Sequence, residues 1–67
     1  MSRLVDARGL RCPWPVLRLA RAMREGGPVT ILADDPAAPA EIVALATAQG
    51  WNFAPITGGF AVEEAGT

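Results

Sequence analysis

The sequence predicts one small α/β domain with the element order β-α-β-α-β-β, in which a single sheet carries both helices on one face. Three observations support this fold class: a helical apolar period after residue 13, an uncharged β-branched run at residues 29–33, and two strand-like segments around a Gly-Gly pair. The chain has 67 residues, which is too few to cover both faces of a sheet with helices. We therefore expect a single domain over residues 1–67, with both helices on the same side.

The first two elements are a short strand and an amphipathic helix. Leu4 and Val5 precede a break at Gly9 and favour a strand over residues 3–6. Over residues 13–25 the apolar side chains repeat with the period of a helix and form a stripe about 100° wide. The residues predicted to face the core are Val16, Leu19, Ala20 and Met23.

The next strand and helix follow a Gly-Gly-Pro sequence at 26–28, which ends the first helix. Residues 29–33 have the composition of a buried parallel strand. Asp35 suits the N-cap of the second helix with Pro36 at its first position, although Pro39 could delay the start by one turn. The shared face of this helix consists of Ile42, Leu45, Ala46 and Gln49, and Gly50 ends it.

The last two strands are predicted as a hairpin formed by residues 51–57 and 60–63 around a Gly58-Gly59 turn. Pro55 has no N–H group to donate to a neighbouring strand. We therefore expect the third strand to lie at a sheet edge or to contain a bulge.

Composition excludes several classes of chemistry. With one cysteine and no histidine, the chain can form no internal disulfide, Cys/His metal site or Ser-His-Asp triad, and we expect neither a metal nor an organic cofactor. Residues 42–62 lack charge and match a membrane span in length, but glycine, proline and amide side chains break the segment into shorter elements. No secretory hydrophobic segment follows Met1, so a cytoplasmic protein without membrane contact is expected.

Charge is divided unevenly along the chain. All six basic residues are arginines at or before Arg24, whereas six of the seven acidic residues follow from Glu25 onward. The positive first third could steer an acidic or phosphate-bearing partner toward the cysteine. The alternative is a set of ordinary solvated arginines on a helix.

The chemistry of the chain centres on Cys12. Pro13 and Pro15 fit the first turn of a helix, so Cys12 is predicted to be the N-cap residue, where the helix dipole favours the thiolate. Arg8 and Arg11 flank the thiol and favour the same form. Cysteines in such surroundings have pKa values of roughly 3.5–7.5, against about 8.5 for a free thiol. The alternative is that Cys12 is a small buried hydrophobic residue.

Trp14, Arg18 and Arg21 project from the first helix on the side opposite the predicted core stripe. A tryptophan so near a reactive thiol favours a partner-binding surface. In the alternative, Trp14 folds back onto the loop after the second strand and covers the core.

Two acidic residues follow the second strand. Asp34 and Asp35 should lie at the same sheet edge as Gly9, where either carboxylate could pair with Arg8 or Arg11 and fix the loop before the first helix. For Asp35, capping of the second helix is the favoured role.

These residues together resemble the TusA/SirA family of sulfur carriers. Its pattern runs D-x-x-G-L-x-C-P-x-P, followed after a helix and a strand by D-D-P and an acidic residue before isoleucine. The matching residues are Asp6, Gly9, Leu10, Cys12, Pro13, Pro15, Asp34, Asp35, Pro36, Glu41 and Ile42. The resemblance covers essentially the whole chain.

The resemblance implies a two-layer sandwich with a four-stranded mixed sheet and a persulfide on Cys12. Sulfur would come from a cysteine desulfurase or a rhodanese-like donor and pass to an acceptor protein in tRNA thiolation, molybdenum cofactor synthesis or sulfur oxidation. Since no general base is visible, such a protein is a carrier working with partner enzymes more than an independent catalyst. Such a carrier needs no direct nucleic-acid contact. A monomer suits a protein that meets a sulfur donor and a sulfur acceptor in turn.

Three departures from the family pattern stand out: Trp14 lies between the two prolines, no second cysteine occurs near Ala46, and the carboxyl end is short. Without a second cysteine, no internal disulfide can discharge a persulfide on Cys12. The competing functional hypothesis is a non-catalytic interaction or thiol redox-regulatory module that uses the face of Trp14, Arg18 and Arg21.

Overall fold

A computed structural model describes residues 3–65 as two helices and one four-stranded sheet. The elements in chain order are β1 (Arg3–Asp6), α1 (Trp14–Glu25), β2 (Val29–Leu32), α2 (Ala38–Gln49), β3 (Asn52–Ile56) and β4 (Gly59–Glu63). The predicted order and the α/β two-layer class are confirmed.

The sheet is mixed and has the strand order β1-β2-β4-β3. Strands β1 and β2 run parallel, while β4 runs antiparallel to both β2 and β3. β3 therefore lies at an edge, as its proline predicts. Pro55 stands opposite Phe60 in the β3–β4 ladder, and no strand within residues 3–65 pairs with the other side of β3, where a missing N–H group is tolerated.

The core lies between the helices and one face of the sheet. Its fully buried residues include Leu19 on α1, Ile42 on α2 and Ile31 on β2. The predicted core stripe of α1 is correct for Leu19 and Met23 but wrong for its other two members. Val16 and Ala20 are only partly covered, and Pro15 and Ala22 are buried in their place. The reason is that α1 packs against α2 as well as against β1 and β2, which turns small side chains inward.

The predicted core face of α2 is correct for three of its four residues. Ile42 and Ala46 are buried, and the half-buried Leu45 packs against the core cluster. Gln49 is exposed. It is the last residue of the helix, which ends where Gly50 takes the left-handed conformation.

The hairpin turn lies one residue earlier than predicted. Thr57 and Gly58 form the turn, with Gly58 at φ +80°, whereas Gly59 is the first residue of β4 and pairs with Leu32. A Cβ atom on Gly59 would lie 1.8 Å from the carbonyl oxygen of Ile31. Gly59 is thus required by close backbone approach within the sheet and not by the turn.

Both helices begin later than predicted. The N-cap of α1 is Pro13 and not Cys12, and the N-cap of α2 is Ala37 and not Asp35. Each helix carries a proline in its first turn, namely Pro15 in α1 and Pro39 in α2, where the missing N–H group costs no intrahelical hydrogen bond. The helix α2 therefore begins two residues later than the Asp35 cap predicts, which is less than the full turn that Pro39 could have caused.

The long uncharged segment at residues 42–62 is divided among α2, β3 and β4. Its predicted division into short elements is confirmed. Within residues 3–65, neither helix has the length and the apolar run that a membrane crossing requires.

Candidate functional site

Cys12 lies in the loop between β1 and α1, two residues before the helix begins. Its side chain is exposed, so the alternative of a buried hydrophobic cysteine is wrong. A turn encloses the residue, because the N–H of Trp14 donates to the carbonyl oxygen of Arg11 at 2.8 Å. Beside it an open cleft of about 650 Å³ separates this loop from the loop after β2. The lining residues are Gly9, Leu10, Arg11, Cys12, Asp34, Asp35, Pro36 and Ala37.

Two carboxylates join the walls of the cleft. The backbone N–H of Gly9 donates to Oδ1 of Asp34 at 2.9 Å, and that of Cys12 donates to Oδ2 of Asp35 at 2.5 Å. Oδ1 of Asp35 accepts a further hydrogen bond from the N–H of Ala37 at 3.0 Å. These acids thus hold the cysteine loop through its backbone, whereas the sequence suggested pairing with arginine side chains.

Arg8 is engaged by a different acid. Its Nε and Nη2 donate to the two carboxylate oxygens of Asp6 at 2.9 and 2.8 Å, and its backbone N–H donates to Oδ1 at 3.2 Å. The pair lowers the pKa of Asp6 to about 2 and raises the pKa of Arg8. The Arg8 guanidinium is therefore paired with Asp6. Within residues 3–65 the structure shows no contact between this guanidinium and the Cys12 sulfur that would stabilise a thiolate.

The electrostatics at the sulfur are opposite to the sequence-based prediction. Partial desolvation, followed by the charges of Glu41 and Asp35, raises the pKa of the Cys12 thiol. The prediction of a lowered pKa is wrong because the thiol is partly desolvated, because acids from elsewhere in the chain act on it, and because Cys12 is not the N-cap of α1. Glu41 lies in the first turn of α2, and no local pattern in the sequence indicates that its charge acts on the thiol.

The carboxylate of Asp35 is itself stabilised as an anion. Hydrogen bonds from the N–H groups of Ala37 and Cys12 lower the pKa of Asp35, and the charge of Arg11 contributes in the same direction. At neutral pH the cleft therefore carries a negative charge next to the cysteine, and the positive charge of Arg11 favours it.

The helix face that begins beside the thiol is apolar and basic. Trp14 is 58% exposed and Leu17 is 50% exposed, and both Arg18 and Arg21 are exposed. Because more than half of its surface is exposed, the alternative in which Trp14 folds back to cover the core is wrong. Nε of Arg21 lies 3.6 Å from Oε2 of Glu25. The exposure of Leu17 adds an apolar side chain to the face predicted from Trp14, Arg18 and Arg21.

The chain is similar to known proteins over most of its length. A family model described as "Sulfurtransferase TusA" matches residues 3–62. A protein of Archaeoglobus fulgidus named "Putative sulfur carrier protein" is 52% identical over 44 residues, which cover 61% of this chain and 57% of the relative. The chain thus aligns with little more than half the length of that relative.

Two proteins of Neisseria meningitidis, from serogroups A and B, carry the same description. Each is 38% identical over 52 residues, which cover 73% of this chain and 70% of the relative. Because the family model covers nearly the whole chain, including the cysteine loop and both helices, this protein belongs to the TusA sulfurtransferase family of sulfur carriers.

Proposed function

We propose that this protein carries sulfur as a persulfide on Cys12 and relays it from a donor protein to an acceptor protein. The observation that supports the proposal best is the placement of the sulfur. Cys12 is exposed at the mouth of an open cleft, on a loop whose backbone is held by two carboxylates. A group that must react with two different proteins in turn needs this accessibility.

Loading is a thiol–persulfide exchange. Before the exchange, the Cys12 thiol loses its proton to water. The resulting thiolate attacks the outer sulfur of a donor persulfide, a new S–S bond forms on Cys12, and the donor S–S bond breaks. The inner donor sulfur leaves as a thiolate. No electron is gained or lost overall, so neither an oxidant nor a reductant is needed.

Unloading repeats the exchange in the opposite sense. An acceptor thiolate attacks the outer sulfur of the Cys12 persulfide, and Cys12 leaves as a thiolate. The chain has one cysteine, so no second thiol within the molecule can release the sulfur as sulfide. Pro13 and Pro15 restrict the backbone beside the sulfur, which limits the conformational entropy lost in each encounter.

Partner recognition is assigned to the α1 face of Trp14, Leu17, Arg18 and Arg21. Exposed aromatic and arginine side chains are the residue types that dominate binding energy at protein interfaces. The basic groups favour an acidic partner surface. Candidate donors are a cysteine desulfurase or a rhodanese-like protein. The identity of the acceptor protein determines whether the sulfur is used in tRNA thiolation, molybdenum cofactor synthesis or sulfur oxidation. A reduced carrier thiol suits a cytoplasmic setting.

Intact-mass measurement tests the relay. The protein is incubated with a cysteine desulfurase and cysteine, and we expect a mass gain of one sulfur atom that is lost on reduction and absent in Cys12→Ser. Transfer to an acceptor should return the mass to its starting value. If no competent desulfurase or rhodanese-like donor adds sulfur while partner binding survives Cys12→Ala, the relay is refuted and an interaction module is favoured.

A further inference from the structure

We propose that Asp35 is a positioning residue for the sulfur-carrying cysteine: it holds the Cys12 backbone at the mouth of the cleft, and its charge makes the sulfur react with cationic groups in preference to anionic ones. The biological meaning of this inference rests on the proposed relay. The physical claim concerns the sulfur-free protein and is tested there.

The positioning part follows from how the carboxylate is held. One oxygen of Asp35 binds the N–H of Ala37 in its own loop at 3.0 Å, while the other binds the N–H of Cys12, 23 residues away in the sequence, at 2.5 Å. Because both oxygens are used, the carboxylate cannot rotate away from the cysteine without losing a hydrogen bond. The negative charge therefore stays beside Cys12 whether the sulfur is a thiol, a thiolate or a persulfide.

The specificity part follows from the charged groups around the sulfur. The charge of Asp35, in the loop after β2, and that of Glu41, in α2, both disfavour its anionic form. On the cysteine loop itself, Arg11 interacts with Asp35 and Arg8 is paired with Asp6. The positive charges of Arg8 and Arg11 are thus partly neutralised by Asp6 and Asp35. The negative charges of Asp35 and Glu41 still disfavour an anionic sulfur.

This arrangement reverses what the charge distribution of the sequence suggests. With its many arginines, the first third of the chain should attract anionic reagents to Cys12. The cleft, by contrast, should repel them, because a charge a few ångströms away outweighs distant charges that salt screens. For the relay, this predicts that a partner presents a basic or neutral group, and not a carboxylate, next to the sulfur that it donates or accepts.

The test compares thiol reagents of opposite charge. A cationic and an anionic methanethiosulfonate each transfer a thioalkyl group to the Cys12 thiolate, with methanesulfinate as the leaving group. In low salt we expect the cationic reagent to react several-fold faster than the anionic one, after each rate is divided by the rate with free cysteine. Asp35→Asn removes the charge and keeps one of the two acceptor oxygens, so the ratio should fall toward one.

Two further variants separate charge from positioning. Asp34→Asn makes the same chemical change on the neighbouring loop residue, which binds Gly9, and should leave the ratio unchanged. Asp35→Ala removes both acceptor oxygens, so amide exchange at Cys12 and at Ala37 should accelerate, whereas Asp34→Asn should leave both amides protected. A faster anionic reagent with the unmodified protein, or equal ratios for Asp35→Asn and Asp34→Asn, would overturn the proposal.

A salt titration of the unmodified protein keeps the test decisive if the variants fold poorly. The cationic preference should shrink as ionic strength rises from about 0.01 to 1 M, since the screening length falls from about 30 Å to about 3 Å. A preference that does not change with salt would refute an electrostatic origin. Because no sulfur donor takes part, failure here is distinguishable from failure of the relay, which is read by mass.

Discussion

The carboxylate of Asp34 accepts a hydrogen bond from the backbone N–H of Gly9 at 2.9 Å, and this contact joins the loop after β2 to the loop after β1. The two strands are parallel neighbours, so their carboxyl ends bring both loops to one sheet edge. The loop that carries the cysteine is therefore held from outside by residues that are distant in the sequence.

Removal of that acceptor should loosen the cysteine loop. In Asp34→Ala we expect the Gly9 amide to lose protection against hydrogen exchange, because its N–H is left to water. Asp34→Asn supplies an amide oxygen at the same place and should keep most of the protection. Exchange followed by NMR measures both variants. Unchanged Gly9 exchange in Asp34→Ala would contradict the role assigned to the contact.

Acid titration should isolate the pair formed by Asp6 and Arg8. The folded-state pKa of Asp6 is lowered from 3.8 to about 2, so its contribution to stability is fully present above about pH 4. That contribution is lost as pH falls through the window between these two values. Carboxyl chemical shifts should give an Asp6 midpoint of about 2, and Arg8→Ala should return it toward 3.8. An unmoved midpoint in Arg8→Ala would count against the pair.

Two leucines on α1 should respond very differently to truncation. Leu19 is 0% exposed in the core, while Leu17 is 50% exposed on the outward face. Leu19→Ala should lower the free energy of unfolding by roughly 2–5 kcal/mol, which is a large part of what a domain of this size has. Leu17→Ala should change it by less than about 0.5 kcal/mol. Urea denaturation measures both, and similar losses would refute the assigned helix orientation.

The hairpin offers a matched pair of glycine substitutions. In Gly59→Ala the new methyl group would meet the Ile31 carbonyl oxygen at 1.8 Å, so we expect a loss of about 3 kcal/mol or failure to fold. In Gly58→Ala the new methyl group would make only an ordinary contact with Leu32 Cδ2 at 3.9 Å, and the variant should cost about 1 kcal/mol through its positive φ. Thermal unfolding ranks the two variants. A milder effect at Gly59 than at Gly58 would contradict the backbone packing described here.

The exposed face of α1 should matter for partner binding and not for folding. Trp14→Ala should weaken binding to the sulfur donor by about tenfold or more while the unfolding curve stays unchanged. Arg18→Glu should slow association and reduce its dependence on salt. Gln49→Ala, a change at the exposed last residue of α2, serves as the control. Titration calorimetry and stopped-flow mixing give these values, and an unaffected affinity in Trp14→Ala would place the interface elsewhere.

Much of the fold follows from local patterns. The six elements, the edge position of β3 and the core roles of Leu19, Ile31 and Ile42 depend on apolar periodicity and on where proline and glycine occur. The errors concern single positions. Pro15 and Ala22 are buried because α1 packs on three elements at once, and Gly59 belongs to a strand because the Ile31 backbone leaves no room for a side chain.

The sequence by itself determined the β-α-β-α-β-β architecture, the family and the one cysteine available for chemistry, since these depend on residue types and spacing along a single stretch. Only the tertiary structure decided the electrostatic environment of that cysteine. Arg8 is near Cys12 in sequence but paired with Asp6, while Asp35 and Glu41 are distant in sequence but act on the sulfur. Coulomb interactions depend on distance through space, and parallel pairing of β1 with β2 sets those distances.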